Sequence, residues 1–362
     1  MHFLALIIFL GIILANVVIS VYLERKVSAF IQDRLGPMEV GKWGLLQLVA
    51  DLLKLIQKED IVPTAADRRL FLFAPLLIFA AVFSGFSLMP LTPDLQASTT
   101  QTGVFLLLGI VSLDILGILM AGWASNNKYA LLGAMRSVAQ IISYEIPLGL
   151  SVLAVVVISQ TLDLQEISYQ QGLFSTTPNY LFGIKSLGVN ISEIGGFLTW
   201  NIFRNPFLCI AFIIFFIAGL AEANRTPFDL PEAESELVAG FHVEYSGFRW
   251  AIVFLSEYGM MLLVCMLTAV LFLGSWNTPL PNIGPLKLAN WTQGLPGTLI
   301  GNLWGGFWLL SKAYVGMLVM MWIRWTLPRL RIDQVMHLCW KVLTPFAIGI
   351  LLISILWRGL MF

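Results

Sequence analysis

Ala221-Glu222-Ala223-Asn224-Arg225-Thr226-Pro227-Phe228-Asp229-Leu230-Pro231-Glu232-Ala233-Glu234-Ser235-Glu236 follows directly on an apolar run, 206–222, long enough to cross a bilayer. Five carboxylates and one arginine fall within the fifteen residues 222–236. Acidic groups beside or inside a membrane are costly, and by default they mark an ion or proton path. Pro227 and Pro231 lack a backbone N–H, so no single smooth helix is predicted across the run. A solvated loop at a membrane face would also be acidic, and the rest of the chain has to decide between the two.

Outward from that run, the chain is apolar along its length. Of 362 residues, 58% are hydrophobic before glycine is counted and 12% are charged. Soluble domains hold about 45–50% apolar residues with glycine included and about 25% charged ones. Apolar windows predict spans near 3–22, 71–91, 104–123, 137–158, 206–222, 250–274, 303–323 and 342–358. The expected fold is an all-α polytopic membrane protein, one integral membrane domain over 1–362 with about eight transmembrane helices. Between the first two spans, Gln47, Asp51, Lys54 and Lys58 recur at helical spacing among leucines. That pattern predicts an amphipathic interfacial helix near 41–60. Residues 159–205, richer in Gln, Ser, Thr and Gly, read as an extended external loop. The first apolar run precedes its basic pair, Arg25-Lys26, which is the wrong order for a cleaved signal peptide, so it is expected to remain as the first span.

Charge predicts the orientation. Loops after spans one, three, five and seven carry sixteen Lys and Arg, against four in the opposite loops and at the C-terminal end. The positive-inside rule then puts both termini outside and the acidic run in the cytoplasm, with a bacterial inner membrane as the expected location. Formal net charge is zero and no basic block is long, which argues against a nucleic-acid partner and leaves membrane lipid as the expected neighbour. Cys209, Cys265 and Cys339 lie far apart with no CxxC pair, so no iron–sulfur cluster or zinc is expected on this chain. Each cysteine reads as a small buried hydrophobe.

Several ionisable groups fall inside the predicted spans: Asp114 in the third, Glu145 in the fourth, Glu257 in the sixth and Lys312 in the seventh. Each costs about 2.5–3.5 kcal/mol at a helix centre on the insertion scale. Together with Glu222 they imply a shared polar interior in which carboxylates pass protons. The structural alternative is isolated ion pairs, such as Lys312 with Asp114, holding helices together. Pro147, two residues after Glu145, frees a carbonyl and is expected to let the helix kink and water enter.

Five segments carry a resemblance. They are Tyr22-Leu23-Glu24-Arg25-Lys26 with Gln32-Asp33-Arg34-Leu35-Gly36-Pro37, the segment 121–133, Ser143-Tyr144-Glu145-Ile146-Pro147, the acidic run, and the segment 324–334. In this order they resemble one membrane component of proton-translocating NADH:quinone oxidoreductase, the H subunit of bacteria and subunit 1 of mitochondria. The likeness spans nearly the whole chain; residues 159–205 are longer than the family's usual loop. The resemblance implies a translocase subunit at the heel of the L-shaped complex I, with no redox centre of its own. Quinone is its implied substrate, while FMN and iron–sulfur clusters belong to partner subunits. Implied partners are the quinone-module and cluster subunits of the peripheral arm, small membrane subunits and antiporter-like subunits. Carried over by position, Glu145, Glu222, Asp229, Glu232, Glu234 and Glu257 belong to the acidic proton path. Arg25, Arg34 and Asp51 belong to the quinone tunnel and its mouth, and Arg225 and Phe228 to a mobile loop. The equivalent subunit of a membrane-bound nickel–iron hydrogenase, or a free-standing ion transporter, remains the alternative.

Overall fold

The computed structural model describes residues 2–173, 175, 179–184, 190–230, 239–282, 287–293 and 296–361. Among these the chain is helical, with no strand beyond an isolated bridge between Tyr180 and Asn190. The helices are α1 (His2–Ile31), α2 (Gln47–Gln57), α3 (Arg68–Leu88), α4 (Gly103–Val111), α5 (Leu113–Ala124), α6 (Lys128–Ser159), α7 (Leu164–Gln170), α8 (Ile191–Ile194), α9 (Asn201–Arg204), α10 (Leu208–Glu222), α11 (Gly247–Phe272), α12 (Leu288–Gln293), α13 (Leu299–Thr326), α14 (Ile332–His337) and α15 (Thr344–Met361). A π-helical turn, Leu338–Leu343, joins α14 to α15.

Among the described residues seven stretches are long and apolar enough to cross a membrane, and α10 is a shorter apolar helix. These eight fall where the apolar windows put them, and the protein is an all-α integral membrane protein. Fifteen residues rise only about 22 Å, less than the about 30 Å hydrocarbon core. The helix ends at the buried Glu222. Two spans begin earlier than hydropathy places them. Helix α6 starts at Lys128, where the Asn127 side chain caps it by accepting from the Tyr129 N–H at 2.9 Å. The last span starts at Ile332 and runs on through the π-helical turn.

The loops gather at two ends. At one, Ile61 reaches Ser246, Asp60 pairs with Arg249, and Asn127 donates to Glu244. At the other, Tyr169 donates to the Pro93 carbonyl, Asn302 to Asp94, and Asn277 to the Ser168 carbonyl. Successive spans alternate between these ends. Helix α11 is the innermost, apolar and buried on nearly all sides, and packs against α1, α3, α10 and α13. Packing is close enough to need glycine: a Cβ on Gly133 of α6 would stand 2.8 Å from the Cα of Gly240, whose own φ is +64°.

The prolines inside α3 and α6 each have the carbonyl they orphan taken up by another element. Pro147 leaves Ser143 O without its helical donor, and the Cys339 thiol donates to it at 3.0 Å. Helix α6 continues through the proline, and the freed carbonyl is met by a thiol. Pro75 in α3 leaves Phe71 O free, and the Tyr245 hydroxyl donates to it at 3.2 Å, its ring stacked on Phe71 at 4.2 Å.

Helix α2 forms as its periodicity predicts, with Leu48 buried and Leu52, Leu53 and Ile56 exposed. Lys312 does not pair with Asp114. Its Nζ donates to the backbone carbonyls of Ser275 and Asn277 at 2.8 and 2.6 Å, beyond the C-terminal end of α11, and lies 4.8 Å from the Trp200 ring. Of the cysteines, Cys265 and Cys339 are buried but Cys209 is exposed on α10, where a thiol can face lipid.

Candidate functional site

Glu222 sits at the meeting of two cavities. The first is lined by Asp114 of α5, Glu222 and Asn224, and Ser256 and Glu257 of α11. The second is lined by Glu145 of α6 and Glu222, with an apolar wall that includes Phe215 and Leu263. Glu222 is 7% exposed, and its Oε2 has no hydrogen-bond partner among the described residues, as is also true of Oδ1 of Asp114. Buried carboxylates without full partners are expensive unless they share protons or water. The structure thus brings Asp114, Glu145, Glu222 and Glu257 around the end of α10, as expected of carboxylates sharing a polar interior. Of these four, only Asp114 is absent from the acidic path that the resemblance implies.

Next to this chamber lies a second cluster. Glu24 of α1 is buried, and both its oxygens accept from Nη1 of Arg225 at 3.2 Å. Arg324 of α13 pairs with the same carboxylate, and the Tyr258 hydroxyl of α11 donates to it at 2.6 Å. The Arg225 guanidinium stands 4.3 Å from the centre of the Tyr258 ring. Burial alone would lower the Arg225 pKa, but the Glu24 carboxylate outweighs it and holds the guanidinium above its ordinary range. Its charge is therefore permanent. Sequence reasoning does not single out Glu24, Tyr258 and Arg324 as site residues. The signal for Glu24 is there all the same: Asn16, Ser20, Glu24 and Ser28 recur every fourth residue along α1.

The segment 223–230 folds onto its neighbours. Asp229 pairs with Arg329 at 2.7 Å, and the Leu330 N–H donates to the Pro227 carbonyl at 3.1 Å. Phe228 is buried against Tyr144, ring centres 5.2 Å apart, and the Tyr144 hydroxyl donates to the Val335 carbonyl at 3.0 Å. Below the same segment, burial pushes the His242 imidazole down to about 4 despite the opposing pull of Asp229. Glu232 and Glu234, with Glu236, lie outside the described residues.

At the exposed rim, Arg25 pairs with Asp51 at 2.7 Å, and Gln47 of α2 donates to the other Asp51 oxygen at 3.2 Å. This fixes α2 to α1. Arg34 is exposed in the turn after α1, and no hydrogen bond or ion pair among the described residues joins it to that pair or to Arg225. Among the described residues no group of three or more His, Cys, Asp or Glu is placed to hold a metal ion.

This arrangement can hold and move protons: four carboxyl groups around the end of a short span, next to a fixed cation on the segment that leaves that span. Known proteins share its sequence. A family model described as NADH dehydrogenase matches residues 4–355. The NADH-quinone oxidoreductase H subunit 2 of Cytophaga hutchinsonii is 59% identical over 352 residues, covering 96% of each chain. The NADH-quinone oxidoreductase H subunit of Chlorobium luteolum is 51% identical over 338 residues, 93% of this chain and 84% of the relative. The corresponding subunit of Geobacillus sp. is 44% identical over 365 residues, 99% of this chain and 96% of the relative. On a match of this extent, the chain belongs to the NADH dehydrogenase family.

Proposed function

We propose that the chain is the H subunit of an NADH-quinone oxidoreductase, lining the quinone tunnel and carrying an acidic path that couples quinone reduction to proton translocation. The observation that carries this reading is the position of Glu222. It closes a short span, lines both acid-bearing cavities and stands three residues from Arg225. The subunits that bear flavin and iron–sulfur clusters supply the electrons. Quinone takes up two electrons and two protons near the first loop, beside Arg25, Arg34 and Asp51. That uptake changes the field at Arg225, Phe228 and Asp229. Glu222 feels the change and passes it to Glu257 and Asp114 on one side and to Glu145 on the other. Glu232 and Glu234 extend the same acidic run. By the charge asymmetry of the loops, the end bearing Glu24 and Arg225 faces the cytoplasm of a bacterial cell and both termini face outside.

Neutralising either cavity tests the reading. In inverted membrane vesicles, Glu222→Gln and Glu145→Gln should each lower NADH-driven quinone turnover and proton uptake together, by about tenfold or more. Two neutral variants that pump like the unaltered chain would remove the relay.

A further inference from the structure

The polar stripe on α1 faces the innermost helix and converges on a single residue. Asn16 Nδ2 donates to the backbone carbonyl of Tyr258 at 3.3 Å, and Ser20 Oγ donates to Asn16 Oδ1 at 2.9 Å. One turn further along, Glu24 accepts from the Tyr258 hydroxyl. The ring of Tyr258 is covered by Arg225 and met at a tilt by Phe254, centres 4.8 Å apart. Tyr258 is therefore held at its backbone, at its hydroxyl and on its ring. The residue before it is Glu257, in the wall of the cavity that holds Asp114 and Glu222. The charge of Arg225 is felt at Glu257 as well as at Glu24.

We infer that Tyr258 is the positioning residue that ties the Arg225–Glu24 pair to the Glu257 carboxyl, so that displacement of Arg225 releases Glu257 from its place in the chamber. The argument is geometric. A backbone carbonyl anchored by Asn16 and a hydroxyl anchored by Glu24 fix the tyrosine along its length, and the side chain of Glu257, just before it on the helix, is fixed with it. Arg225 and Glu222 lie on the same short segment, so one movement there reaches the chamber twice: directly through Glu222, and through Tyr258 at Glu257. This inference rests on the proton-path reading above. It adds the element that makes quinone-side events and carboxyl-side events inseparable.

Tyr258→Phe keeps the ring under Arg225 and removes only the hydroxyl. Measured on the assembled complex in inverted membrane vesicles, it should halve, or more than halve, the protons taken up per NADH oxidised. The quinone KM should stay within about twofold of its original value. A merely structural role would lower the amount of assembled complex and with it both rates, leaving that ratio untouched. An unchanged ratio in Tyr258→Phe overturns the inference. Should that variant fail to assemble, Asn16→Ala, which frees the same carbonyl and spares the hydroxyl, decides in its place by the same ratio. Glu222→Gln, run alongside, separates the failures. If it loses pumping while the tyrosine variant does not, only this inference falls; if it pumps normally, the proton path falls and the inference with it.

Discussion

Glu24 is a carboxylate facing two arginines and a tyrosine, and its value lies in what its loss would strand. Replacing it with glutamine keeps the shape and removes the charge, leaving the buried Arg225 without its carboxylate partner. Breaking a buried pair from one side typically costs about 3–5 kcal/mol. Glu24→Gln is expected to lower the melting temperature of the purified complex and the yield of assembled complex, whereas Arg25→Gln, whose own pair is at the exposed rim, should do so far less. Equal losses for the two would contradict the burial difference. In the sequence, the every-fourth-residue stripe sets Glu24 apart from its neighbour Arg25, but that this stripe turns inward depends on the position of α11, a helix more than two hundred residues away.

The prolines of α3 and α6 are each answered by a side chain from another element. Tyr245 and Pro75 are such a pair: the hydroxyl answers the carbonyl that the proline frees. Tyr245→Phe should cost about 1–3 kcal/mol by orphaning Phe71 O. Adding Pro75→Ala should return part of it, because residue 75 regains an N–H that can bond within the helix. The check is a double-mutant cycle of thermal stability; additive losses would show that the two residues do not answer each other. At this scale most of the fold is legible in the sequence. Long apolar windows fix the existence of every span, since nothing else in the chain could bury twenty such residues. Two starts escape hydropathy because Lys128 and Arg136, and likewise Asp333 and His337, dilute it while the helix simply continues. The kink expected at Pro147 is met differently. A spare carbonyl needs a donor, but a sequence does not say whether water or a thiol two hundred residues on will supply it. The acids of spans four to six are recognisable as a group because charge in an apolar run is costly wherever it falls. Their distribution over two cavities is not, because that depends on where α10 stops.

For the molecule as a whole, alternation of eight spans returns the last residues to the end where the first began, and the positive charge concentrates on the opposite end. A C-terminal alkaline phosphatase fusion should therefore be active in whole cells, and a fusion within the loop after α13 should not. The reverse pattern would invert the assignment of the two faces without altering the fold. Inside the bundle, polar groups divide in the same way. Carboxylates gather toward the Arg225 end, while Lys312 seals the carbonyls beyond the other end of α11.

The Glu24 cluster has a further consequence, for the birth of the chain. Its carboxylate leaves the ribosome with the first helix, its first arginine follows two hundred residues later, and Arg324 arrives only with the seventh span. The buried cluster is thus completed only when the seventh span is made, although its carboxylate belongs to the first helix of the chain.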